Sequence, residues 1–143
     1  MAAVDQGRLL GTDLRLHRVA GALDLTRDDA GDLALGTGAD NIVQALTLRL
    51  LVRRGELAPL GWPDYGSRLH ELIGEPNVVR TRALLLTFAK AAIEQDPRVE
   101  KVRDISAVVP AGERDVVRVE ADILIISQPG PLNLVVDIPL EPA

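Results

Sequence analysis

The sequence predicts an α+β fold in which an antiparallel sheet of C-terminal strands packs against two main helices, with a short hairpin near the N-terminus. Two long segments in the first two thirds of the chain place apolar residues with helical periodicity. The last third instead alternates apolar and polar residues, as half-buried strands do, and tight turns join these segments. Strands joined by tight turns pair antiparallel, with the helices on the apolar face of the sheet.

The N-terminal part shows only short elements. Residues 1–12 are weakly patterned, and we expect a flexible arm or a segment wrapped on a partner. Short apolar-polar alternations at residues 14–17, 23–25 and 32–35 are separated by turn-forming residues, which predicts small strands or a hairpin. No repeat or long hydrophilic linker interrupts the chain, so residues 1–143 are expected to form a single domain.

The first long helix is predicted to begin at Asn41. Asn41 can cap the helix while Gln44 reaches back from the third helical position. Apolar residues cover most of its circumference, so the helix should be largely buried and should end at Gly55. Three arginines are expected at its solvent edge: Arg49, Arg53 and Arg54.

The second long helix is predicted to follow a cap at Asn77. Pro97 stops it, because a proline disfavours helical geometry in the residue before it, Asp96. A short helical turn is expected between the two helices, at residues 67–72. Three consecutive strands then complete the sheet, at residues 99–109, 117–125 and 132–140.

Composition excludes several classes of function. The chain has 143 residues, of which 47% are hydrophobic and 26% charged, as in an average soluble domain. It has no cysteine and two histidines, which argues against disulfides and an ordinary zinc site, so metal chemistry would have to rest on carboxylates. The net charge of −5 disfavours nucleic-acid binding. Charges near the N-terminus and short apolar runs argue against a secretory leader and a membrane span, so we expect a cytoplasmic protein.

Two segments carry candidate interaction residues. Trp62 and Tyr65 lie in a short loop rich in glycine and proline, and such aromatic residues either form interface hot spots or plug the end of a domain's own core. Asp96-Pro97-Arg98 lies at a junction between helix and strand, where a rigid proline turn can present the Arg98 guanidinium to a carboxylate. The alternative is an ordinary solvated junction.

Catalytic constellations are weak in this sequence. Glycoside hydrolysis needs two facing carboxylates, and the spacing of the candidates does not show that any two face each other: Glu56, Asp64, Glu71 and Glu75. Ser67 and His70 stand three residues apart, but no nucleophile elbow surrounds the serine. The last predicted strand is instead placed as a sheet edge, which can pair with a strand of another chain.

Several short motifs follow one another along residues 30–140: Ala39-Asp40-Asn41, Gln44-Ala45-Leu46, Arg53-Arg54-Gly55-Glu56, Asp64-Tyr65-Gly66-Ser67 and Asp96-Pro97-Arg98-Val99. Their order resembles the baseplate wedge family of contractile phage tails, the gene-product-25-like sheath initiators. Relatives serve in contractile injection systems, type VI secretion and tailocins. The family's marked motif is Glu-Pro-Arg, and its acid is one methylene shorter here, at Asp96.

The resemblance implies a structural subunit that has no cofactor and is not an enzyme. Six copies would surround the hub and offer strand pairing to the first ring of sheath protein, while other faces contact wedge subunits and the inner tube. The residues expected at these protein interfaces are Asp96, Pro97, Arg98, Trp62, Tyr65 and Glu56. Some members of the family have been described as lysozyme-like, so the alternative is a peptidoglycan hydrolase that uses Glu56 or Glu75.

Overall fold

The computed structural model describes residues 6–19, 22–126 and 128–141. Residues 1–5 of the predicted N-terminal arm lie outside this range. The chain divides into two compact units, residues 1–45 and 46–143. That the two units act as one domain stays a prediction.

The first unit contains short elements. It comprises helix α1 (Gln6–Leu10), the strands β1 (Thr12–Leu14), β2 (Leu16–Val19), β3 (Ala22–Leu25) and β4 (Leu35–Thr37), and the first part of helix α2 (Gly38–Leu51). β1 pairs antiparallel with β4, and β2 pairs antiparallel with β3. The predicted N-terminal hairpin is thus confirmed.

Helix α2 begins at Gly38, so the predicted start and cap at Asn41 are wrong. Asn41 is buried inside the first helical turn, where its Nδ2 donates to the carbonyl of Leu10 at 3.0 Å. The side-chain amide of Gln44 bonds to two strands that follow each other in the chain. It donates to the carbonyl of Leu14 in β1 and accepts from the backbone N–H of Leu16 in β2. Both side chains bind distant backbone groups instead of closing a local capping box.

The second unit holds the end of α2 and the remaining elements. Two short 3₁₀ helices, Ala58–Leu60 and Leu69–Leu72, precede helix α3 (Val79–Glu94). Three strands follow, β5 (Val99–Val108), β6 (Val116–Ile125) and β7 (Leu132–Pro139), and they form one antiparallel sheet in the order β5-β6-β7. The predicted α+β class is confirmed.

The sheet buries one face. Alternate residues of β6, from Val117 to Ile125, are buried, and so are Leu134, Val136 and Ile138 of β7. Helix α3 packs on β5 and contributes apolar residues at helical spacing to the same core: Leu85, Ala89, Ala92 and Ile93. Removal of this apolar surface from water is the main stabilising contribution to the unit.

Helix α3 begins without the predicted cap. Its first residue is Val79 and its N-cap is Val78, with no side-chain capping bond. Asn77 instead accepts a hydrogen bond from Nη1 of Arg82 at 2.8 Å and donates to the carbonyl of Arg114 at 3.2 Å. Its amide is therefore used in tertiary contacts, which a pattern of helix periodicity does not reveal.

Candidate functional site

The turn between α3 and β5 contains a buried ion pair. The carboxylate of Asp96 is only 2% exposed. Its Oδ1 accepts hydrogen bonds from the backbone N–H and Nε of Arg98 at 3.0 and 2.9 Å, and its Oδ2 accepts from Nη2 at 2.8 Å. Bidentate, charge-assisted pairs of this kind are strong and geometrically specific. The turn is therefore not an ordinary solvated junction, and Arg98 binds the carboxylate of its own turn.

A second guanidinium approaches the same carboxylate from helix α2. Nη2 of Arg49 lies 3.9 Å from Oδ2 of Asp96, beyond hydrogen-bond distance, and its Cζ lies 4.5 Å from the ring centroid of Tyr65. The side chain is only 15% exposed, and its Nε is buried without a hydrogen-bond partner in the described residues. The prediction that Arg49 lies at the solvent edge of the helix is wrong, because the carboxylate and the aromatic ring hold it inside.

The two arginines keep Asp96 ionised. Burial opposes ionisation of this carboxyl, but the hydrogen bonds from the side chain and backbone of Arg98, together with the charges of Arg98 and Arg49, outweigh it and lower the pKa of Asp96. One carboxylate then faces two guanidinium groups, which leaves this cluster with one excess positive charge.

The loop that carries the aromatic residues is closed at its base. The backbone N–H of Arg54 donates to the carbonyl of Ser67, and the N–H of Ser67 donates to the carbonyl of Val52. Gly66 makes this close approach possible: its φ is +106°, and a Cβ there would lie 2.6 Å from the carbonyl oxygen of Val52. The base of the loop, which spans residues 52–67, is thus fixed by backbone pairing.

A groove of about 660 Å³ lies between this loop and the turn at Pro97. We call it the aromatic groove; the residues that line it are Arg49, Arg54, Gly61, Trp62, Pro63, Asp64, Tyr65, Gln95 and Pro97. The indole of Trp62 is 63% exposed at the groove, and Tyr65 is half-buried against Arg49. Trp62 therefore does not plug the core, and it offers a large apolar surface to solvent.

The structure brings most of the predicted interface residues together. Trp62, Tyr65 and Pro97 line the aromatic groove, and Asp96 and Arg98 flank Pro97 in the same turn. Glu56, on the same loop, is the exception. It does not line the groove, and its carboxylate accepts a hydrogen bond from the backbone N–H of Arg53.

Arg49 is the residue of this site that sequence reasoning missed. Its helical position gave no signal that its side chain turns inward. The sequence distance between Tyr65 and Asp96 also does not show that both side chains contact the same residue of helix α2.

The two outer strands of the sheet differ. β7 pairs with β6 in a register that continues without a shift from Val116 and Pro139 to Ile123 and Leu132, and no other strand of the described residues pairs with it. Just past the end of β7 the chain is bonded on its outer side, where the N–H of Glu141 donates to the carbonyl of Glu75 and the carbonyl of Glu141 accepts from the N–H of Asn77. The N–H of Leu140 donates toward β6, to the carbonyl of Asp115. Because alternate residues of a strand point to opposite sides, the N–H groups of Asn133 and Val135 point to the outer edge.

The other outer strand is irregular. The pairing of β5 with β6 shifts register twice, between Val99 and Lys101 and again between Val102 and Asp104. Charged, exposed side chains cluster along the same stretch: Glu100, Lys101, Arg103 and Asp104. Bulges and charges are features that discourage pairing of an edge with another chain.

The carboxylates considered for hydrolysis are exposed, and several have local partners. Glu71 pairs with Arg68 through two hydrogen bonds of 3.0 and 2.8 Å, and Asp64 lies 3.5 Å from Arg54. The hydroxyl of Ser67 donates to the carbonyl of Leu50 at 2.6 Å. Nδ1 of His70 contacts the carbonyl oxygen of Ser67 and not its hydroxyl. These contacts stabilise the loop and do not activate a nucleophile.

Two features are missing from residues 6–19, 22–126 and 128–141. No helix there is long and apolar enough to cross a membrane. No group of three or more histidine, aspartate or glutamate side chains there is arranged to hold a metal ion.

Comparison with known proteins assigns a family to this architecture. The family model of the contractile injection system sheath initiator matches residues 12–124, which is most of the chain. The chain therefore belongs to the sheath initiator family of contractile injection systems, whose members are structural components of phage-tail-like baseplates. The predicted resemblance is confirmed.

A solved structure shares the fold. It is a crystal structure from Geobacter sulfurreducens that is described as a candidate tail lysozyme. The two chains superpose with a TM-score of 0.64 and are 22% identical, and the alignment covers 77% of this chain and 97% of the other. A search of curated protein sequences gave no significant match.

Proposed function

We propose that this protein links the baseplate to the sheath and initiates sheath assembly by strand pairing at the outer edge of β7. The observation that carries the proposal is the regular, eight-residue β7, which pairs with one strand of the described residues, β6; residues 75–77 bond to the outer side of the chain only beyond the end of β7, at Glu141. Membership of the sheath initiator family supports the coarser role, a structural component that associates with sheath and baseplate proteins.

The β7 edge is suited to accept a strand. The N–H groups of Asn133 and Val135 point outward, where an added strand could accept main-chain hydrogen bonds from them, and Val135 is 50% exposed. Pro139 also belongs to the outward-facing set, and a proline at such a position removes no hydrogen bond within the sheet. The irregular β5 is the less favourable edge.

The remaining interface residues serve the baseplate side of the link. In this proposal the aromatic groove and the turn from Asp96 to Arg98 contact wedge subunits, with Trp62 and Tyr65 as apolar anchors. Glu56 contributes at the rim, and further faces contact the inner tube or hub. Six such subunits form a ring, so weak individual contacts add up to stable attachment. The protein works within a phage-tail-like particle assembled in the cytoplasm, without a cofactor and without binding nucleic acid or membrane.

Val135→Pro tests strand pairing directly. The substitution removes one outward N–H and leaves the bonds to β6 in place, and Val135→Thr is the matched control that keeps the N–H. Each variant is co-expressed with the sheath and baseplate proteins of its own gene cluster, and sheaths are counted by negative-stain microscopy. We expect Val135→Pro to enter baseplates without sheaths, while Val135→Thr supports sheaths. Normal sheaths on baseplates carrying Val135→Pro contradict the proposal, provided that both variants unfold at similar temperatures.

The alternative function is peptidoglycan hydrolysis, which is favoured only by the description of the Geobacter sulfurreducens protein as a candidate tail lysozyme. At 22% identity that likeness supports the fold alone. Hydrolysis predicts that purified protein clears cell-wall suspensions and that Glu56→Gln or Glu75→Gln abolishes this activity. Under the structural proposal, folded protein leaves the turbidity of such suspensions unchanged at every pH tested.

A further inference from the structure

The guanidinium of Arg49 has fewer hydrogen-bond partners than its chemistry favours. Arg98 occupies both oxygens of Asp96, and Nη2 of Arg49 stays 3.9 Å from the nearer one. An arginine carries five N–H donors, and a buried donor without a partner is costly. The buried Nε of Arg49 is such a donor within the described residues. The pairing around Arg49 is thus incomplete in the isolated chain.

The environment of Arg49 favours one kind of ligand. The side chain lines the aromatic groove, whose walls also include Trp62, Tyr65 and Pro97. Arg54 and Asp64, also in the lining, lie 3.5 Å apart and balance each other in charge. Two guanidinium groups, those of Arg49 and Arg98, therefore share the single carboxylate of Asp96. One additional carboxylate in the groove would balance the charges of Asp96, Arg49 and Arg98 and would accept from the part of the Arg49 guanidinium that the groove reaches.

We infer that the aromatic groove binds an aspartate or glutamate side chain of another baseplate subunit, and that this carboxylate pairs with Arg49. The inference rests on the proposed function and names the residue through which the baseplate side of the link is recognised. The exposed indole of Trp62 covers the apolar part of the incoming segment, so the ion pair forms away from bulk water. The net charge of −5 on the whole chain makes a free polyanion an unfavourable occupant.

Zero-length cross-linking can identify the carboxylate that pairs with residue 49. Arg49→Lys keeps the positive charge and supplies a primary amine, which a carbodiimide joins to an adjacent carboxylate as an amide. The chain has only two natural lysines, Lys90 and Lys101, so a new cross-linked peptide is readily assigned by mass spectrometry. In assembled particles we expect the α2 peptide to be joined to an acidic peptide of a different protein. Arg103→Lys, at an exposed position of β5, is the control and should not yield that product.

Cross-links from Arg49→Lys that stay within the chain, for example to Asp96, or no new cross-link at all, overturn the inference. A second measurement compares incorporation of Arg49→Gln and Arg103→Gln into particles. Loss of one partner of a desolvated charge pair predicts at least a tenfold loss of incorporation for Arg49→Gln and none for the control. Wild-type incorporation of folded Arg49→Gln contradicts the inference.

The proposed function and the role of Arg49 can be disproved separately. If the wild-type chain does not co-purify with sheath and baseplate proteins, the proposed function is wrong and the inference is wrong with it. If the wild type assembles and only the Arg49 results are negative, the inference alone is wrong. If Arg49→Gln does not fold, the cross-link in Arg49→Lys decides.

Discussion

Arg98 holds both carboxylate oxygens of Asp96, its neighbour but one in sequence, through Nε and Nη2 at 2.9 and 2.8 Å. Pro97 stands between them and restricts the backbone, so the pair is formed locally and at a fixed geometry. The shorter acid of Asp-Pro-Arg is therefore sufficient to close this turn. Arg49 adds a second positive charge at the same carboxylate.

Asp96→Asn should destabilise the protein at neutral pH. The substitution leaves two partly buried guanidinium groups without their counter-charge, and breaking a buried pair in this way costs about 3 kcal/mol or more of unfolding free energy. Urea unfolding at pH 7, compared between wild type and Asp96→Asn, measures the loss. An unfolding free energy equal to that of the wild type would show that the ion pair does not stabilise the fold.

The same pair should make stability depend on pH. The pKa of Asp96 is lower in the folded state than in the unfolded state, where an aspartate titrates at about 3.9. Its contribution is thus fully present above that unfolded-state value and is lost as the pH falls through the lower folded-state pKa. We expect the stability difference between wild type and Asp96→Asn to shrink as urea unfolding is repeated at increasingly acid pH. A difference that stays constant contradicts this assignment.

Gly66→Ala should be strongly destabilising. An alanine there adopts an unfavourable positive φ and brings its Cβ to within 2.6 Å of the carbonyl oxygen of Val52. The expected cost in unfolding free energy is about 2 kcal/mol or more. Gly61→Ala is the matched control, because Gly61 also has a positive φ, of 89°, but has open space around the added Cβ. Equal melting temperatures for the two variants would disprove the close backbone approach as the cause.

Trp62→Ala should separate binding from folding. Since the indole is 63% exposed, its removal is expected to change the unfolding free energy by less than about 0.5 kcal/mol. As an interface anchor it is expected to contribute at least about 2 kcal/mol to association, or roughly thirtyfold in affinity. Leu60→Ala, at an exposed position of the same loop, is the control. Pull-down of baseplate proteins measures the effect, and equal recovery with both variants rules out the anchor role.

The two compact units should unfold together. Helix α2 contributes residues to both, since it begins at Gly38 and ends at Leu51, and a helix interrupted in its middle loses its backbone hydrogen bonds. Differential scanning calorimetry is expected to show one transition, with equal calorimetric and van't Hoff enthalpies. Two resolved transitions would contradict the prediction of a single domain.

Periodicity predicted the parts of the fold that depend on local pattern. The period of two located β6 and β7 to within about one residue, because burial of one face forces strict alternation. The helix starts were predicted less well. Asn41 and Asn77 have the residue type of a cap, but their amides donate to backbone carbonyls far along the chain, those of Leu10 and Arg114. A single sequence does not show which long-range partner will outcompete a local one.

In the candidate site, too, residues with local interactions could be predicted and residues with long-range interactions could not. Asp96, Pro97 and Arg98 could be singled out because their interaction is local, and Trp62 and Tyr65 because aromatic residues are scarce in this chain. Arg49 could not, because its role depends on the convergence of α2, the loop and the α3–β5 turn. Helical periodicity placed it on the polar side of the helix, whereas the ring of Tyr65 and the carboxylate of Asp96 draw it inward.

Electron cryomicroscopy of isolated particles that carry both baseplate and sheath can show which strand of this protein pairs with the sheath. We expect six copies of this chain in a ring, each with a sheath strand hydrogen-bonded along the outer edge of β7, from Leu132 to Pro139. A sheath strand paired with β5 instead, or a β7 edge that faces solvent while the sheath is attached, would contradict this expectation.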